Sequence, residues 1–203
     1  MRPIVLLAAA GTALALVGVL RPLTVRHASA ALLAPAPACG VERWPVKTLA
    51  DPDAPDVNLT PKSTTVARLR RLTVVIGIEG TRGIGTERKT FRVHARLTEF
   101  KFEADSDIHL VIADPRTGGT MIAEFPAASC THGALPGTST KMQKARVTLV
   151  HSCGFPPNGS YQPIHGTATI DGVGFFDRIH GQAGVARNGI ELHPVLRFSG
   201  RCT

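Results

Sequence analysis

Side chains capable of acid–base chemistry are concentrated near the C-terminus, in the segment GVGFFDRIHGQAGVARNGIELHPVL, residues 172–196. This segment places Asp177, His180, Glu191 and His193 within seventeen residues. Glu191 and His193 are two positions apart, so on a β-strand both side chains point to the same face. A carboxylate beside an imidazole can transfer a proton near neutral pH or hold a divalent ion. The same pair also suits a private hydrogen bond between two partly buried groups, and the sequence leaves both interpretations open.

Two overlapping sets of candidate residues follow from this segment. We take Glu191, His193 and His180 as candidate catalytic residues. The loop RIHGQAGVARNG, 178–189, contains three glycines and an Asn-Gly turn signal, so much of it serves to connect two strands. Candidate ligand-binding residues come from this loop, its flanks and one earlier strand: Asp177, His180, Asn188, Glu191, His193 and His109.

A second cluster lies in EADSDIHLVIAD, residues 103–114. Asp105, Asp107 and His109 alternate there and form a candidate metal site, because carboxylates and imidazole are ligands for divalent ions. A turn between strands also favours Asp and Ser for backbone reasons, which is the competing interpretation. Glu124 lies on the next predicted strand. If the strand register brings it to the same face, His109 and Glu124 converge with Glu191 and His193.

The elements that position these residues are predicted to be short strands. From Phe91 the apolar residues alternate, and the phase slips by one before Phe100 and Phe102, which predicts a bulge and a sharp bend in the first strand. Residues 108–114 and 120–125 predict two further strands that complete a meander. Residues 138–151 suit either a helix or a strand. Residues 166–177 and 190–198 predict a fourth and a fifth strand, with Ile190, Leu192 and Leu196 facing the core and Pro194 at an edge or bulge.

Three meander strands, a connecting element and two further strands match the five-stranded oligonucleotide/oligosaccharide-binding (OB) barrel. We therefore predict a mostly β protein with a small OB-like barrel and one or two short helices. A two-sheet sandwich is the alternative. In the barrel, the loop between the fourth and fifth strands lies at the rim of the ligand-binding face.

The N-terminal part of the chain predicts export. Residues 1–30 combine Arg2, an uncharged apolar run and Ala28-Ser29-Ala30, which is typical of a cleaved signal peptide, with an uncleaved anchor as the alternative. Residues 31–90 are then a spacer, an extended segment that contains the sole Trp44, and a short helix in 60–72. Residues 91–203 form the barrel domain. The expected location is secreted or in the cell envelope.

Four cysteines remain after residue 30, and an even number in an oxidising compartment predicts two disulfides. Of the three possible pairings we favour Cys130–Cys153, which closes a short loop, together with Cys39–Cys202, which joins the two ends. No Cys-x-x-Cys spacing occurs, which argues against a structural zinc site.

The charge is basic. Removal of residues 1–30 takes away three arginines and no acid, so the formal net charge falls from +8 to +5. A basic excess favours an anionic polymer or ligand as partner, although a generic basic surface explains it equally well. The arginine run in ARLRRL, 67–72, is open to the same two interpretations.

The blocks ERWPVKTLADPDA (42–54), DSDIHLVIADPRTGGTMIAEFP (105–126) and 172–196 resemble a group of exported bacterial proteins of uncharacterised activity. The resemblance covers most of the chain after residue 38 and implies export and topology rather than an activity. Asp105-Ser106-Asp107 also resembles the metal-binding acid pair of staphylococcal-nuclease-like OB barrels. The chain departs from that family because it lacks the expected arginine and a D-T-P-E-like element, and Arg116 lies in a turn.

Three functions remain open. The first is an exported binding module that holds an anionic polymer or small ligand at the barrel rim. The second is a metal-assisted hydrolase, such as a phosphodiesterase, which is the only reading that requires a divalent metal. The third is a structural envelope protein whose charged residues tie loops together.

Overall fold

The computed structural model describes residues 39–78, 80–156 and 159–203. The predicted signal peptide, 1–30, lies outside them. The strands are β1 Asn58–Thr64, β2 Lys89–Phe102, β3 Ile108–Ala113, β4 Thr120–Phe125, β5 Gln162–Pro163, β6 Gly166–Phe176 and β7 Ile190–Cys202. The helices are α1 Trp44–Lys47, α2 Val66–Leu69 and α3 Thr138–Cys153. Among the described residues, no helix is both long and apolar enough to cross a bilayer.

Five of the strands close into a barrel in the order β2-β3-β4-β7-β6, and β6 pairs back onto β2. The pairing of β4 with β7 is parallel, and the other pairings around the ring are antiparallel. Helix α3 connects the third barrel strand to the fourth. This is the OB arrangement, so the predicted fold class is confirmed and the sandwich alternative is excluded.

Strand β2 serves both sides of the barrel because it bends at the predicted position. Its register against β3 shifts between Leu97 and Glu99. Before the shift, Val93 and Leu97 point into the barrel; after it, Phe100 does. An extra residue in one strand turns the strand and increases its twist, and closing a small barrel requires both effects.

The barrel interior is filled by alternate residues of every strand, among them Leu110, Phe125, Ile190 and Leu192. The ambiguous segment 138–151 is helical, and α3 packs Leu149 against this core. Burying a large aliphatic or aromatic side chain contributes about 1.5–3 kcal/mol. The interior therefore supplies the main driving force for the fold.

A second, smaller core lies outside the barrel, where Leu49 and Val57 pack with Met142, Val173 and Leu196. Leu196 is a buried core residue as predicted, but it belongs to this second core and not to the barrel interior that contains Ile190. Gly174 pairs with Leu192 but Gly172 with Val195, so β7 carries an extra residue there and its alternation reverses. This bulge contains Pro194, as predicted. The second core holds the N-terminal segment against the barrel.

The predicted helix in 60–72 is shorter than expected. Only Val66–Leu69 is helical, with the Thr65 hydroxyl accepting a hydrogen bond from the Arg68 N–H at 3.1 Å. Residues 58–64 form β1, which pairs in parallel with β2 at the edge of the sheet. Pro61 is tolerated there because an edge strand does not require every N–H to donate.

Both predicted disulfide pairings are wrong. The bonds join Cys39 to Cys130 and Cys153 to Cys202, with Cα–Cα distances of 5.5 and 5.0 Å. Helix α3 ends beside the end of β7, which brings the second pair together. The segment before α1 lies against the turn after β4, where the Trp44 indole N–H donates to the Cys130 carbonyl at 3.1 Å. Sequence distance alone could not reveal either contact.

We expect peptide mapping of the non-reduced protein to recover Cys39–Cys130 and Cys153–Cys202 peptides. The second bond has a sequence separation of 49, so a Cys153→Ser/Cys202→Ser variant should lose about 4 kcal/mol of unfolding free energy in a denaturant titration. Recovery of a Cys130–Cys153 peptide as the main product would contradict the structure.

Candidate functional site

A cavity of about 650 Å³ opens at one end of the barrel, and we call it the rim cavity. Its walls come from the loop after β2, the loop after β6, and the outward faces of β3, β4 and β7. Residues 39–42 and Lys47 cover one side. In OB barrels, ligands bind to the face of the second and third barrel strands and to the adjoining loops. Those strands are β3 and β4 here, so the rim cavity lies on the face where this fold binds ligands.

The strand register explains why polar groups face this cavity. His109 is the cross-strand partner of Glu124, and Ile122 is the partner of Glu191. Since alternate residues share a face, Glu124, Glu191 and His193 point outward with His109, whereas Leu192 points into the barrel. The sequence predicted that these four side chains converge if the strand register places them on one face. The register does so.

One group of donors surrounds His109. Its Nδ1 lies 2.8 Å from Glu124 Oε1 and 3.5 Å from Glu103 Oε1. The three donor atoms all lie within 4.8 Å of one another. Ligands about 2.1 Å from a common metal ion are separated by roughly 3–4 Å, so these three donors could share one ion after small side-chain adjustments.

The tautomer of His109 bears on that interpretation. Its Nε2 lies 3.2 Å from the Ala183 carbonyl oxygen and 3.3 Å from the Tyr161 hydroxyl. If Nε2 carries the proton, it donates to the carbonyl; if Nδ1 carries it, Nδ1 donates to Glu124 and the Tyr161 hydroxyl donates to Nε2. A metal ion requires the first tautomer. The neutral ring then presents its Nδ1 lone pair to the carboxylate oxygens of Glu124 and Glu103. Lone pairs facing one another repel unless a proton or a metal ion lies between them. A histidine whose second nitrogen donates to a backbone carbonyl is the usual arrangement at metal sites.

A second group surrounds His193. Its Nε2 lies 3.4 Å from Asp107 Oδ2, and its Nδ1 lies 3.9 Å from Glu191 Oε2. All three side chains are at most 4% exposed. The ring is enclosed edge-on by Trp44 and Phe175, with centroid distances of 6.4 and 5.7 Å. One imidazole is therefore flanked by two carboxyl groups in a nearly water-free wall.

These groups are buried because the N-terminal segment is fixed over them. Arg43 forms two bonds of 2.9 and 2.6 Å to the carboxylate of Glu87. Arg82 donates to Asp51 at 2.7 Å and to the Val46 carbonyl at 2.6 Å. Buried ion pairs of this kind are held in place by additional hydrogen bonds, and both Nη atoms of Arg43 and Nε and both Nη atoms of Arg82 make such bonds. They fix α1 against the barrel.

Burial shifts the pKa values of the covered groups. It raises the pKa of Asp107 to about 7 and that of Glu191 to about 7. Burial, together with the charges of Glu103 and Asp107, raises the pKa of Glu124 well above its usual range. Burial lowers the pKa of His193. The neutral forms are favoured because no nearby positive charge compensates fully for lost hydration.

Several buried polar atoms in this wall lack partners. Within the described part of the chain, Glu124 Oε2, Asp107 Oδ2 and both ring nitrogens of His193 make no hydrogen bond. Leaving such a group unsatisfied costs about 1–3 kcal/mol. Folded proteins rarely tolerate several together, and such groups mark a place where an ion, water or ligand completes the structure.

The cavity is acidic although the chain as a whole is basic, even though burial raises the pKa values of three of its carboxyl groups, Asp107, Glu124 and Glu191. Seven carboxylic residues line it against two lysines, Lys47 and Lys101. Lys47 lies 3.3 Å from Asp177, so it compensates one of the carboxylates. An anionic group entering this cavity unaccompanied would meet repulsion, whereas a divalent cation would be attracted.

Of the predicted site residues, most reach the cavity. Asp105, Asp177 and His180 line it, but His180 is exposed at its mouth and stands apart from the two histidine groups. Asn188 lies elsewhere, where its side-chain amide donates to the carbonyls of Leu69 and Leu72 at 3.0 and 3.1 Å.

The predicted metal set also divides between the two groups. His109 meets Glu103 and Glu124, whereas Asp107 meets His193, and Asp105 accepts a hydrogen bond from the Asp107 N–H at 3.2 Å. The sequence reading missed Glu103. The hairpin register could have indicated it, since Lys101 pairs with His109 and Glu103 follows two residues later.

Comparisons with protein-family models, with curated proteins and with solved structures found no match to this chain. The function must therefore be argued from the geometry and chemistry of the rim cavity.

An Asp107→Asn variant tests the burial of this carboxyl group. Its pKa is raised from about 3.9 in the unfolded chain to about 7 in the fold, so the native state binds the extra proton between these values. The contribution of Asp107 to stability is full below pH 4 and is lost as the pH rises through 7.

The difference in free energy of unfolding between Asp107→Asn and wild type should therefore shift by about 2–4 kcal/mol in favour of the variant between pH 4 and pH 8. Denaturant titration with a chelator present measures it. Asp56→Asn, at a largely exposed carboxylate, is the control and should follow the wild-type curve in parallel. A constant difference between wild type and Asp107→Asn across this range would show that the carboxyl group is hydrated.

Proposed function

We propose that the protein is an exported binding module that holds a divalent metal ion in the rim cavity and binds an anionic ligand through that ion. The observation that carries the proposal is the set of Glu103 Oε1, His109 Nδ1 and Glu124 Oε1 within 4.8 Å, with an unpartnered Glu124 oxygen beside it. Export is part of the proposal and rests on residues 1–30 and the two disulfides.

The donor set indicates the class of metal. One imidazole and two carboxylates suit first-row divalent ions such as Zn²⁺ or Mn²⁺ better than Ca²⁺, which prefers oxygen ligands alone. Three protein ligands leave at least one coordination position for an external group. The cavity has room for such a group, since pockets for small ligands measure about 300–1,000 Å³.

A bound metal ion would allow an anionic ligand to enter a cavity that is lined by carboxyl groups. Without the ion, the carboxylates repel an anion. With it, the ion compensates Glu103 and Glu124, so Lys101, which forms an ion pair with Glu103 at 2.9 Å, becomes free to attract an anion. A purely structural role for these residues accounts poorly for the buried Glu124 Oε2, which makes no hydrogen bond within the described residues.

Isothermal titration calorimetry of the chelator-stripped protein with Zn²⁺ and Mn²⁺ tests the proposal. We expect one ion per chain and a raised melting temperature, because an ion that binds only the native state stabilises it. Glu124→Gln should weaken binding at least about 100-fold, since loss of outer-shell partners alone costs about 10–100-fold.

The matched control is His94→Ala. His94 is an exposed histidine on β2 that lies 3.5 Å from Thr169 and outside the cavity lining. It should leave the affinity unchanged. A wild-type protein that binds neither ion, or a Glu124→Gln variant that binds as tightly as wild type, would overturn the proposal. His109 and Glu124 would then only form a hydrogen bond with each other.

A metal-assisted hydrolase, such as a phosphodiesterase, is the second candidate. The observation in its favour is that His193, flanked by Asp107 and Glu191, faces the same cavity as the metal set. A bound ion would polarise the scissile group and acidify water. The neutral imidazole of His193 would accept a proton from the attacking water, and Glu191 would orient the ring.

The hydrolase reading predicts turnover of bis(p-nitrophenyl) phosphate that depends on the added ion. His193→Asn should lower kcat by about 10²–10⁴-fold while metal affinity stays within a few-fold of wild type. Glu191→Gln should lower kcat less and shift its pH profile, since it acts through His193. Absence of ion-dependent turnover in wild type would remove this candidate and leave the binding module.

A further inference from the structure

A second concave surface lies between α3 and strands β1, β2, β6 and β7, and we call it the basic groove. It encloses about 350 Å³ and shares no lining residue with the rim cavity. Its charged lining residues are Arg92, Lys141, Lys144, Arg197 and a single acid, Asp171. Here the local charge has the opposite sign to that of the rim cavity.

Helix α3 presents one continuous face to this groove. Lys141 lies four residues before Ala145, and Lys144 lies four residues before Thr148, so all four side chains lie on the same side of the helix. Ala145 is buried against the barrel, whereas the two lysines are exposed. Among the residues described, neither lysine approaches a carboxylate closely enough for an ion pair.

The strand side of the groove also leaves positive charge uncompensated. The Arg92 guanidinium donates two hydrogen bonds of 2.6 and 2.7 Å to the Asp171 carboxylate, so these two charges compensate each other. Arg197 lies 4.0 Å from the same carboxylate and is half exposed. Arg197, Lys141 and Lys144 therefore remain as three positive charges around one opening.

The floor of the groove holds a polar group without a partner. Thr90 is 2% exposed, and its Oγ1 forms no hydrogen bond within the described residues. Leu196 and Phe198 line the groove beside it. The Thr90 hydroxyl is closed to solvent, so it belongs to the packing beneath the groove, and the groove's accessible polar groups are its basic side chains.

We propose that the basic groove is a binding site for a ligand that carries a phosphate or sulfate group. A tetrahedral oxyanion would lie among the ammonium groups of Lys141 and Lys144 and the guanidinium of Arg197. Charge-assisted bonds of this kind are stronger than neutral ones. The apolar floor accommodates the uncharged part of such a ligand.

Calorimetric titration with inorganic pyrophosphate and with sulfate tests the site, at low ionic strength because salt screens exposed charges. A chelator keeps the rim cavity free of metal, so failure here does not bear on the metal proposal. Lys141→Glu/Lys144→Glu should weaken pyrophosphate binding at least about tenfold, because repulsion replaces two attractive charges. Arg197→Ala should weaken it about threefold or more, because it removes one charged donor from the half-exposed wall of the groove.

The matched control is Arg71→Glu/Arg116→Glu, which changes the net charge equally at exposed positions outside the groove. It should bind pyrophosphate within about twofold of wild type, because charges on separate surfaces are largely screened. An equal loss in this control would show attraction to the whole molecule and overturn the site. Unchanged affinity in the lysine variant or in Arg197→Ala, or no binding to wild type, would also overturn it.

Discussion

The buried ion pairs that hold the N-terminal segment over the barrel determine the chemistry of the rim cavity. Glu87 is fully buried and accepts hydrogen bonds from Arg43 and from the backbone N–H groups of Gly83 and Phe176. Arg82 joins Asp51 to the carbonyl of Val46 in α1. Removing one partner of such a pair leaves an uncompensated buried charge, which costs about 3–5 kcal/mol. The cover is therefore an integral part of the fold.

Without this cover, the outward faces of β3, β4 and β7 would be an ordinary hydrated surface. With it, Trp44 and Phe175 enclose His193, and Asp107 and Glu191 lose the hydration that would keep them ionised. A low dielectric strengthens every remaining electrostatic interaction, so a cation entering the cavity would be bound more firmly than on an open surface. Folding thus creates an acidic cavity whose charge is compensated only in part by Lys47.

The two concave surfaces of this small barrel carry charges of opposite sign. The basic excess lies outside the rim cavity, in part on α3 and β7, while the carboxylates gather at the barrel mouth. The formal net charge of the whole chain, +8, therefore does not describe the local charge of either surface. Formal charge summed over a sequence is informative about association in general, but local fields decide what each concave surface binds.

The sequence predicted the barrel well, because each of its signals was local. The phase slip before Phe100 gave the bend of β2, and the spacing of Glu191 and His193 gave their shared face. Contacts between distant segments could not be read in the same way. The disulfide partners depend on where α3 and residues 39–42 pack, and the reversal at Leu196 depends on a bulge around Pro194. Burial of Asp107 and Glu124 depends on a cover formed some 60 residues earlier in the chain.

Anomalous diffraction from crystals grown with Zn²⁺ or Mn²⁺ tests the central claim most directly. The account predicts a peak in the rim cavity about 2.0–2.3 Å from Glu103, His109 and Glu124 donor atoms. Ions bound only at exposed histidines such as His94, with Glu124 and His109 still in direct contact, would contradict it.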